Sequence, residues 1–128
     1  MFLLQKRAVR IIFGANRLAH TEPIFKSLKL LNIHKLYRYN IGLMMYKYHH
    51  KKLPHIFDDY FTMNSDVHVY STRQSHLLHT PKYSTELRKR SFKCKAVSVW
   101  NDIHKALKSV NIAIGTFKDH LKKYLLSL

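Results

Sequence analysis

The chain has 128 residues, of which 23 are Lys or Arg, 7 are Asp or Glu and a single one, Cys94, is a cysteine. One cysteine excludes a disulfide framework within the chain and a Cys-x-x-Cys zinc ribbon. The formal charge of +16 is spread along the whole sequence, so the expected partner is anionic: nucleic acid, an acidic membrane surface or an acidic protein.

Apolar runs are short throughout the sequence. Lys, Arg, His or Asn interrupts each of them before the roughly 18 to 20 residues that cross a bilayer, so we expect no membrane-spanning segment and no membrane partner. Gln5-Lys6-Arg7 follows the first four apolar residues directly and places charge where a secretory signal needs its apolar core. We therefore expect a protein of the nucleus or cytoplasm that is not secreted. A mitochondrial presequence is the alternative, because residues 1–21 carry basic residues and no acid.

The first predicted helix is amphipathic and ends at Gly14 or Asn16. Lys6 and Arg10 project from one of its faces. The opposite, apolar face, which a helical bundle would bury, consists of Leu4, Ala8, Ile11 and Ile12.

Two more helices are predicted before residue 50. Thr21 and Pro23 form the cap and first turn of the second. Asn32 caps the third, which ends near His50 and contains Gly42, where a neighbouring backbone can approach closely. The apolar positions are Ile24, Phe25, Leu28 and Leu31 in the second helix, and Ile33, Tyr37, Ile41, Met44 and Tyr48 in the third.

Residues 62–86 are rich in Ser, Thr, His and Tyr, with weak alternation at Val67 and Val69 and a break at Pro81. This composition predicts a long irregular or extended connection. Long connections inside a compact domain are usually functional or mobile, so we expect this one to lie against a partner.

Helical periodicity resumes after residue 86. Thr116 is predicted to cap the terminal helix, whose basic side carries Lys122 and Lys123. The inward residues are Phe92, Ala96, Val99, Trp100, Ile103 and Leu107 in the fourth helix, opposite Arg90, Lys105 and Lys108, and Phe117, Leu121, Tyr124, Leu125 and Leu128 in the fifth. The predicted fold is all-α, with about five helices in a small bundle: a helical segment over 1–61, a basic connection over 62–86 and a helical pair over 87–128, in one compact unit.

Catalytic patterns are weak. Nucleotidyl transfer needs carboxylates that converge on Mg²⁺, usually presented by reverse transcriptases as an aromatic-x-Asp-Asp hairpin. Asp58-Asp59 is the only adjacent acidic pair, but Ile56 stands where the aromatic residue belongs, and an exposed turn is the favoured interpretation. Cys94 has no identifiable base and is expected to be a partly buried thiol on a helix. We predict no catalytic residue and no cofactor.

Ten histidines raise the question of a metal site. His49-His50, His55 and His76-x-x-His79 come closest to the spacing of metal ligands. Because no second cysteine or flanking carboxylate accompanies them, surface histidines are the favoured interpretation and no metal site is predicted.

The last pattern to interpret is basic residues interleaved with aromatic ones. Tyr70-Ser71-Thr72-Arg73 offers a ring for stacking and groups that hydrogen-bond phosphate, and a dense basic run follows near residue 90. A solvated charged face is the alternative explanation. The predicted nucleic-acid contacts are Lys6, Arg10, Tyr70, Arg73, Arg88, Lys89, Arg90 and Lys93.

Several stretches resemble one family in order and spacing. Leu4-Gln5-Lys6-Arg7-Ala8-Val9-Arg10-Ile11-Ile12 and His20-Thr21-Glu22-Pro23-Ile24-Phe25-Lys26-Ser27-Leu28 are similar to the segment that follows the polymerase palm in reverse transcriptases of LINE-type (non-LTR) retrotransposons. The later pieces that agree are Leu53-Pro54, Ile56-Phe57, Phe61, Tyr70-x-Thr72-Arg73, Pro81, Ser91-Phe92, Trp100-Asn101 and Phe117-Lys118-x-x-Leu121-Lys122-x-Tyr124-Leu125. The chain departs from the family pattern at Ala96-Val97 and Ile103-His104. The resemblance spans nearly the whole chain, although each piece alone is weakly specific.

The resemblance implies a non-catalytic, thumb-like and post-thumb region that holds the RNA template and growing DNA during target-primed reverse transcription. In the family, the fingers and palm with their metal-binding aspartates lie upstream. The implied partners are RNA and DNA, including an RNA–DNA hybrid, and the upstream fingers and palm domain. Protein and nucleic acid would form a ribonucleoprotein. Two alternatives stay open: a truncated retrotransposon remnant without molecular function, and a protein-docking module that uses an uncovered apolar face.

Overall fold

A computed structural model of the chain describes residues 1–70, 72–107 and 111–128. These ranges contain seven α-helices and no β-strand, so the predicted all-α class is confirmed. The helices are α1 (Phe2–Phe13), α2 (Thr21–Ser27), α3 (Ile33–His49), α4 (Asn64–Val67), α5 (Glu86–Lys89), α6 (Phe92–Leu107) and α7 (Ile114–Ser127), with a 3-10 turn at His55–Phe57. Two positions named above, Ser71 and Lys108, lie outside the described residues. No helix within these ranges has the length and apolar character needed to cross a membrane.

The main core lies where α3, α6 and α7 pack together. The packing is tight at Gly42 on α3, because a Cβ built there would lie 2.8 Å from Leu121 Cδ2 and 2.9 Å from Ile103 Cδ1. The groups that approach Gly42 are side-chain methyl groups of α6 and α7, where the sequence predicted a neighbouring backbone. The buried residues of this core are Ile41, Met45, Tyr46, Phe61, Leu78, Ala96, Val97, Val99, Trp100, Ile103, Phe117, Leu121 and Leu125.

Tyr46 connects α3 to the start of α7. Its ring stacks on Phe117 with centroids 4.5 Å apart, and its hydroxyl donates a hydrogen bond to the carbonyl oxygen of Ile112. Because Tyr46 is only 2% exposed, this hydroxyl needs a partner, and the segment before α7 supplies it. The burial of Trp100 and Cys94 on α6 agrees with the sequence prediction.

Local capping matches the sequence in part. The Asn32 side chain accepts a hydrogen bond from the backbone N–H of Lys35 at 2.9 Å, which confirms the predicted cap of α3. The predicted cap at Thr116 is wrong, because α7 already begins at Ile114, after Ala113. The N–H of Phe117 bonds to the carbonyl oxygen of Ala113 at 2.9 Å, which includes Thr116 in the first turn.

The predicted buried face of α1 is also wrong. Leu4, Ile11 and Ile12 are 65%, 80% and 69% exposed, whereas Val9, on the opposite side, is buried against Ile24 and Phe25 of α2. Ala8 is exposed as well, and so are Tyr37 on α3 and Leu128, which were expected to face inward.

Polar anchors explain the orientation of α1. The Gln5 amide accepts a hydrogen bond from the N–H of Ile33 at 2.8 Å and donates one to the carbonyl oxygen of Leu31 at 3.1 Å. The Arg10 Nε donates to the carbonyl oxygen of Ala19 at 2.9 Å. These bonds fix which side of α1 faces the bundle, and the more apolar side is left facing solvent.

Candidate nucleic-acid interface

The predicted connection folds back onto the bundle at Leu77 and Leu78, which are 4% and 5% exposed. The side chain of Asn101 on α6 accepts a hydrogen bond from the N–H of Leu78 at 3.1 Å and donates one to its carbonyl oxygen at 2.9 Å. Leu78 also forms an isolated antiparallel bridge with Met63. The irregular segment is therefore attached to α6 through its backbone.

Asn64, at the start of α4, closes the turn of this segment. Its N–H donates to the carbonyl oxygen of Leu77 at 3.0 Å, and its side-chain amide donates to that of Gln74 at 2.9 Å. Its side-chain oxygen lies 3.2 Å from Nδ1 of His79. These bonds hold the described residues 64–70 and 72–79 beside α6, which leaves a space between this segment and the helix.

That space is a cavity of about 480 Å³ between the folded connection and the polar side of α6. Lys95, Ser98, Asp102 and Lys105 follow one another at helical spacing along this side of α6. We call the cavity the basic groove. Its lining residues are Asn64, His68, Gln74, Leu77, Leu78, His79, Thr80, Tyr83, Lys89, Cys94, Lys95, Ser98, Asn101, Asp102 and Lys105.

A second depression of about 420 Å³ extends the basic groove toward Arg73. It shares Asn64, His68 and Gln74 with the first and adds Thr72 and Arg73. The combined surface thus runs from the tip of the connection, along the loop edge, to the second half of α6.

The electrostatics of the basic groove are dominated by cations. Asp102, the one acidic side chain among its described lining residues, pairs with Arg38 of α3 at 3.3 Å, and Lys89 pairs with Glu86 at 3.3 Å. Among the described ion pairs, none involves Lys95 or Lys105. Lys95 and Lys105 are both exposed, and the Asp102 carboxylate that lies between them along α6 is paired with Arg38 instead.

Of the sequence-predicted contacts, Lys89 lines the basic groove and Arg73 lines the adjoining depression, and the others lie elsewhere. Arg88 and Arg90 are exposed beside Lys89, at the end of α5, and Tyr70 is 84% exposed. The remaining three make local contacts. The Lys93 ammonium lies 5.0 Å from the centroid of the Tyr60 ring, and the Lys6 ammonium lies 4.5 Å from that of Phe2. The Arg10 guanidinium donates a hydrogen bond to the carbonyl oxygen of Ala19.

Sequence reasoning did not include Lys105, His68 or His79 among the contacts. Lys105 has a recognisable signal, since it follows Lys95 by ten residues on the polar side of an amphipathic helix. The two histidines have none, because their position depends on how the connection folds back at Leu78.

Three histidines from different segments surround a smaller cavity of about 50 Å³ beside Trp100. They are His49 of α3, His76 of the connection and His104 of α6, and the rings of His76 and His104 lie 5.4 Å apart. Burial, with the nearby His76, holds the pKa of His104 below its ordinary value. The pKa of His49 is lowered by burial and then by His50 and His104.

Metal-ligand geometry is not formed by these side chains. In the part of the chain that the structure describes, no group of three or more His, Cys, Asp or Glu side chains is placed to hold a metal ion. Asp58 lies in a turn after the 3-10 segment, with its carboxylate 3.0 Å from Nδ1 of His55. The adjacent Asp59 is exposed.

Comparison with known proteins finds no relative of this chain. No protein-family model matches the chain, and no curated protein or solved structure gives a significant match.

Proposed function

We propose that the chain binds the phosphate backbone of RNA and DNA through the basic groove, as the non-catalytic C-terminal region of a LINE-type RNA-directed DNA polymerase. The observation that carries the proposal is the set of cations on two adjoining depressions, with Lys95 and Lys105 in the basic groove and Arg73 in the depression beside it. The order of the family-like sequence pieces supports the polymerase context. In that context the chain positions template and primer, and the polymerase palm supplies catalysis.

The arrangement suits backbone binding better than base reading. Lys95 and Lys105 are separated by ten residues of helix, or about 15 Å along its axis, which lets them contact several phosphates of one strand. Ammonium groups on flexible stems neutralise phosphates without selecting a base. We therefore expect binding with little sequence preference and a strong dependence on salt.

An aromatic ring at the groove can add stacking. Tyr83 lines the basic groove and is 41% exposed, with the Lys89 ammonium 6.0 Å from its ring centroid. A tyrosine in this position can stack on an unpaired base, which is worth about 1–3 kcal/mol in single-strand binding proteins. This favours single-stranded RNA or a strand end over continuous duplex.

The test is fluorescence anisotropy of the whole chain with single-stranded RNA, an RNA–DNA hybrid and duplex DNA across a salt series. The variant replaces Arg73, Lys95 and Lys105 by Gln. Its control replaces Lys118, Lys122 and Lys123 on the exposed side of α7, which removes the same charge. For single-stranded RNA we expect the groove variant to flatten the log–log salt slope by about 2, at roughly 0.7 per lost phosphate contact.

The proposal requires that the groove variant weaken nucleic-acid binding more than the α7 control variant does. Equal loss in both would mean that net charge alone attracts nucleic acid and that the basic groove is not the binding surface. No binding by the unaltered chain at low salt would reject the proposed function and leave the remnant and docking alternatives.

A further inference from the structure

The outer side of α1 carries apolar residues that nothing in the described structure covers. Leu3, Leu4, Ile11 and Ile12 are 73%, 65%, 80% and 69% exposed, and Ala8 lies exposed between them. We call these residues the apolar stripe. Leu4, Ala8, Ile11 and Ile12 share one side of α1, and Leu3 lies at its edge. Single exposed apolar side chains are ordinary, but such a cluster on one side of a helix marks an interaction site.

The apolar stripe cannot turn inward without loss of established bonds. Gln5 is fixed by its hydrogen bonds to Leu31 and to Ile33 at the start of α3, and Arg10 by its bond to Ala19. Val9 fills the contact with α2 on the same inner side. The outward orientation of the stripe is thus built into the packing of α1.

Arginines lie within the apolar stripe and along one of its sides. A depression of about 420 Å³ beside it is lined by Ile11 and Ala15 and by three arginines, Arg7, Arg10 and Arg17. Residues 1–21 contain no Asp or Glu. An occupant of this surface therefore needs an apolar face to cover the stripe and negative charge at its edges.

We propose that the outer face of α1 binds an acidic amphipathic helix of a partner protein. A large apolar side chain of that helix occupies the depression beside Ile11, and its carboxylates pair with Arg7 and Arg17. A guanidinium can bind a carboxylate through two parallel hydrogen bonds, which sets the register of the bound helix. Apolar anchors at i, i+3, i+4 and i+7 are the usual pattern of a helix bound in this way.

Charge argues against a second copy of the chain and against a membrane as the occupant. A second copy of the chain would bring the same arginines and another +16 to the interface. A membrane would have to accept Arg7, which lies on the same helix face as Leu3, Leu4 and Ile11, inside the apolar surface that would enter the lipid. A carboxylate opposite Arg7 would pair with its guanidinium and so compensate for the cost of burying that charge.

This interaction is separate from the proposed binding of nucleic acid. Among the described lining residues of the basic groove, none belongs to α1. A partner protein on α1 and a nucleic acid in the groove could therefore be bound at the same time, and each can be tested without the other.

The experiment uses the whole chain and a labelled synthetic peptide of roughly 18 residues, about 27 Å as a helix, with Leu on one face and Glu on the other. A scrambled peptide of the same composition keeps the charge and removes the apolar face. The protein variant is Leu4→Gln with Ile11→Gln, and its control is Ile56→Gln, which removes an equally exposed apolar side chain elsewhere. Helicity of each variant is verified by circular dichroism.

We expect the amphipathic peptide to bind at moderate salt, with affinity reduced at least about tenfold by the Leu4→Gln/Ile11→Gln change and unaltered by Ile56→Gln. Arg7→Gln with Arg17→Gln should weaken binding and reduce its salt dependence. Equal binding of the scrambled peptide would overturn the proposal, because net charge would then explain the interaction. Binding to vesicles containing phosphatidylserine but not to the peptide would assign the stripe to a membrane, and dimerisation abolished by Leu4→Gln/Ile11→Gln would assign it to a second copy.

Discussion

Asn101 of α6 acts toward Leu78 as a neighbouring β-strand would, because its single amide group satisfies both the N–H and the carbonyl oxygen of that residue. Leu78 lies in the connection, 23 residues earlier in the chain. Since Leu78 is 5% exposed, water cannot easily replace either bond. The folded connection, and with it one wall of the basic groove, depends on this contact.

We predict that Asn101→Ala lowers the free energy of unfolding by about 2–3 kcal/mol, because it removes two hydrogen bonds and leaves buried backbone groups unpaired. Urea unfolding followed by circular dichroism measures the change. Asn40→Ala is the matched control, since Asn40 is exposed on α3. A loss no greater than that of the control would mean that the connection is not held by Asn101. Faster amide hydrogen exchange at Leu78 should accompany the loss.

Gly42 and Gly115 form a natural pair for testing the contact of α3 with α6 and α7. A methyl group at Gly42 would meet side-chain atoms at 2.8 and 2.9 Å, whereas one at Gly115 would meet nothing within 4 Å. We expect Gly42→Ala to destabilise the fold by about 1–2 kcal/mol, since overpacking exceeds the gain in helix propensity. Gly115→Ala should be neutral or stabilise by up to about 1 kcal/mol. Thermal unfolding of both variants distinguishes them, and stabilisation by both would contradict the packing described at Gly42.

The main core could be predicted from sequence because α6 and α7 carry a strong apolar period on one face. Trp100, Ile103, Phe117 and Leu121 are all buried as expected. The orientation of α1 could not be predicted in this way. Its pattern favours burial of the side with Leu4, Ile11 and Ile12, whereas the observed orientation depends on Gln5, whose hydrogen-bond partners lie 26 and 28 residues away.

The candidate site was predicted only in fragments for a similar reason. Local charge density identified Lys89, which lines the basic groove, and Arg73, which lines the adjoining depression. The groove itself forms because Leu78 bonds to Asn101, a long-range contact between residues whose local sequence carries no such signal. Local patterns therefore located basic segments but could not tell which cations share a surface.

Acid should destabilise the fold through the histidines beside Trp100. The pKa values of His104 and His49 are lowered in the folded state, so the unfolded chain binds more protons as the pH falls below about 6.5. Stability is therefore lost on acidification, in the window between the ordinary histidine pKa and the lowered ones. The groups that face His104 are His76 from the connection and His49 from α3, both bases.

The measurement is the melting temperature from about pH 7.5 to about pH 5.5, a range that spans the ordinary histidine pKa. His104→Gln should show a smaller decrease than the unaltered chain, because one of the groups that must stay neutral is gone. His120→Gln, which removes an exposed histidine on α7, should leave the decrease unchanged. A decrease of the same size in all three proteins would attribute acid sensitivity to other groups.

Salt should affect stability and nucleic-acid binding in opposite directions. The chain carries a formal charge of +16, and its described ion pairs number four, all at least partly exposed. Screening therefore removes more repulsion than attraction, and we expect the melting temperature to rise by several degrees between about 50 mM and 500 mM sodium chloride. Over the same range the affinity for RNA should fall steeply, because bound phosphates release counterions. The triple variant at Lys118, Lys122 and Lys123 should be stabilised less by salt yet keep the RNA slope, since it lowers self-repulsion outside the basic groove. A melting temperature that falls as salt is added would mean that the ion pairs contribute more to stability than the repulsion removes. The positive surface would then not destabilise the fold.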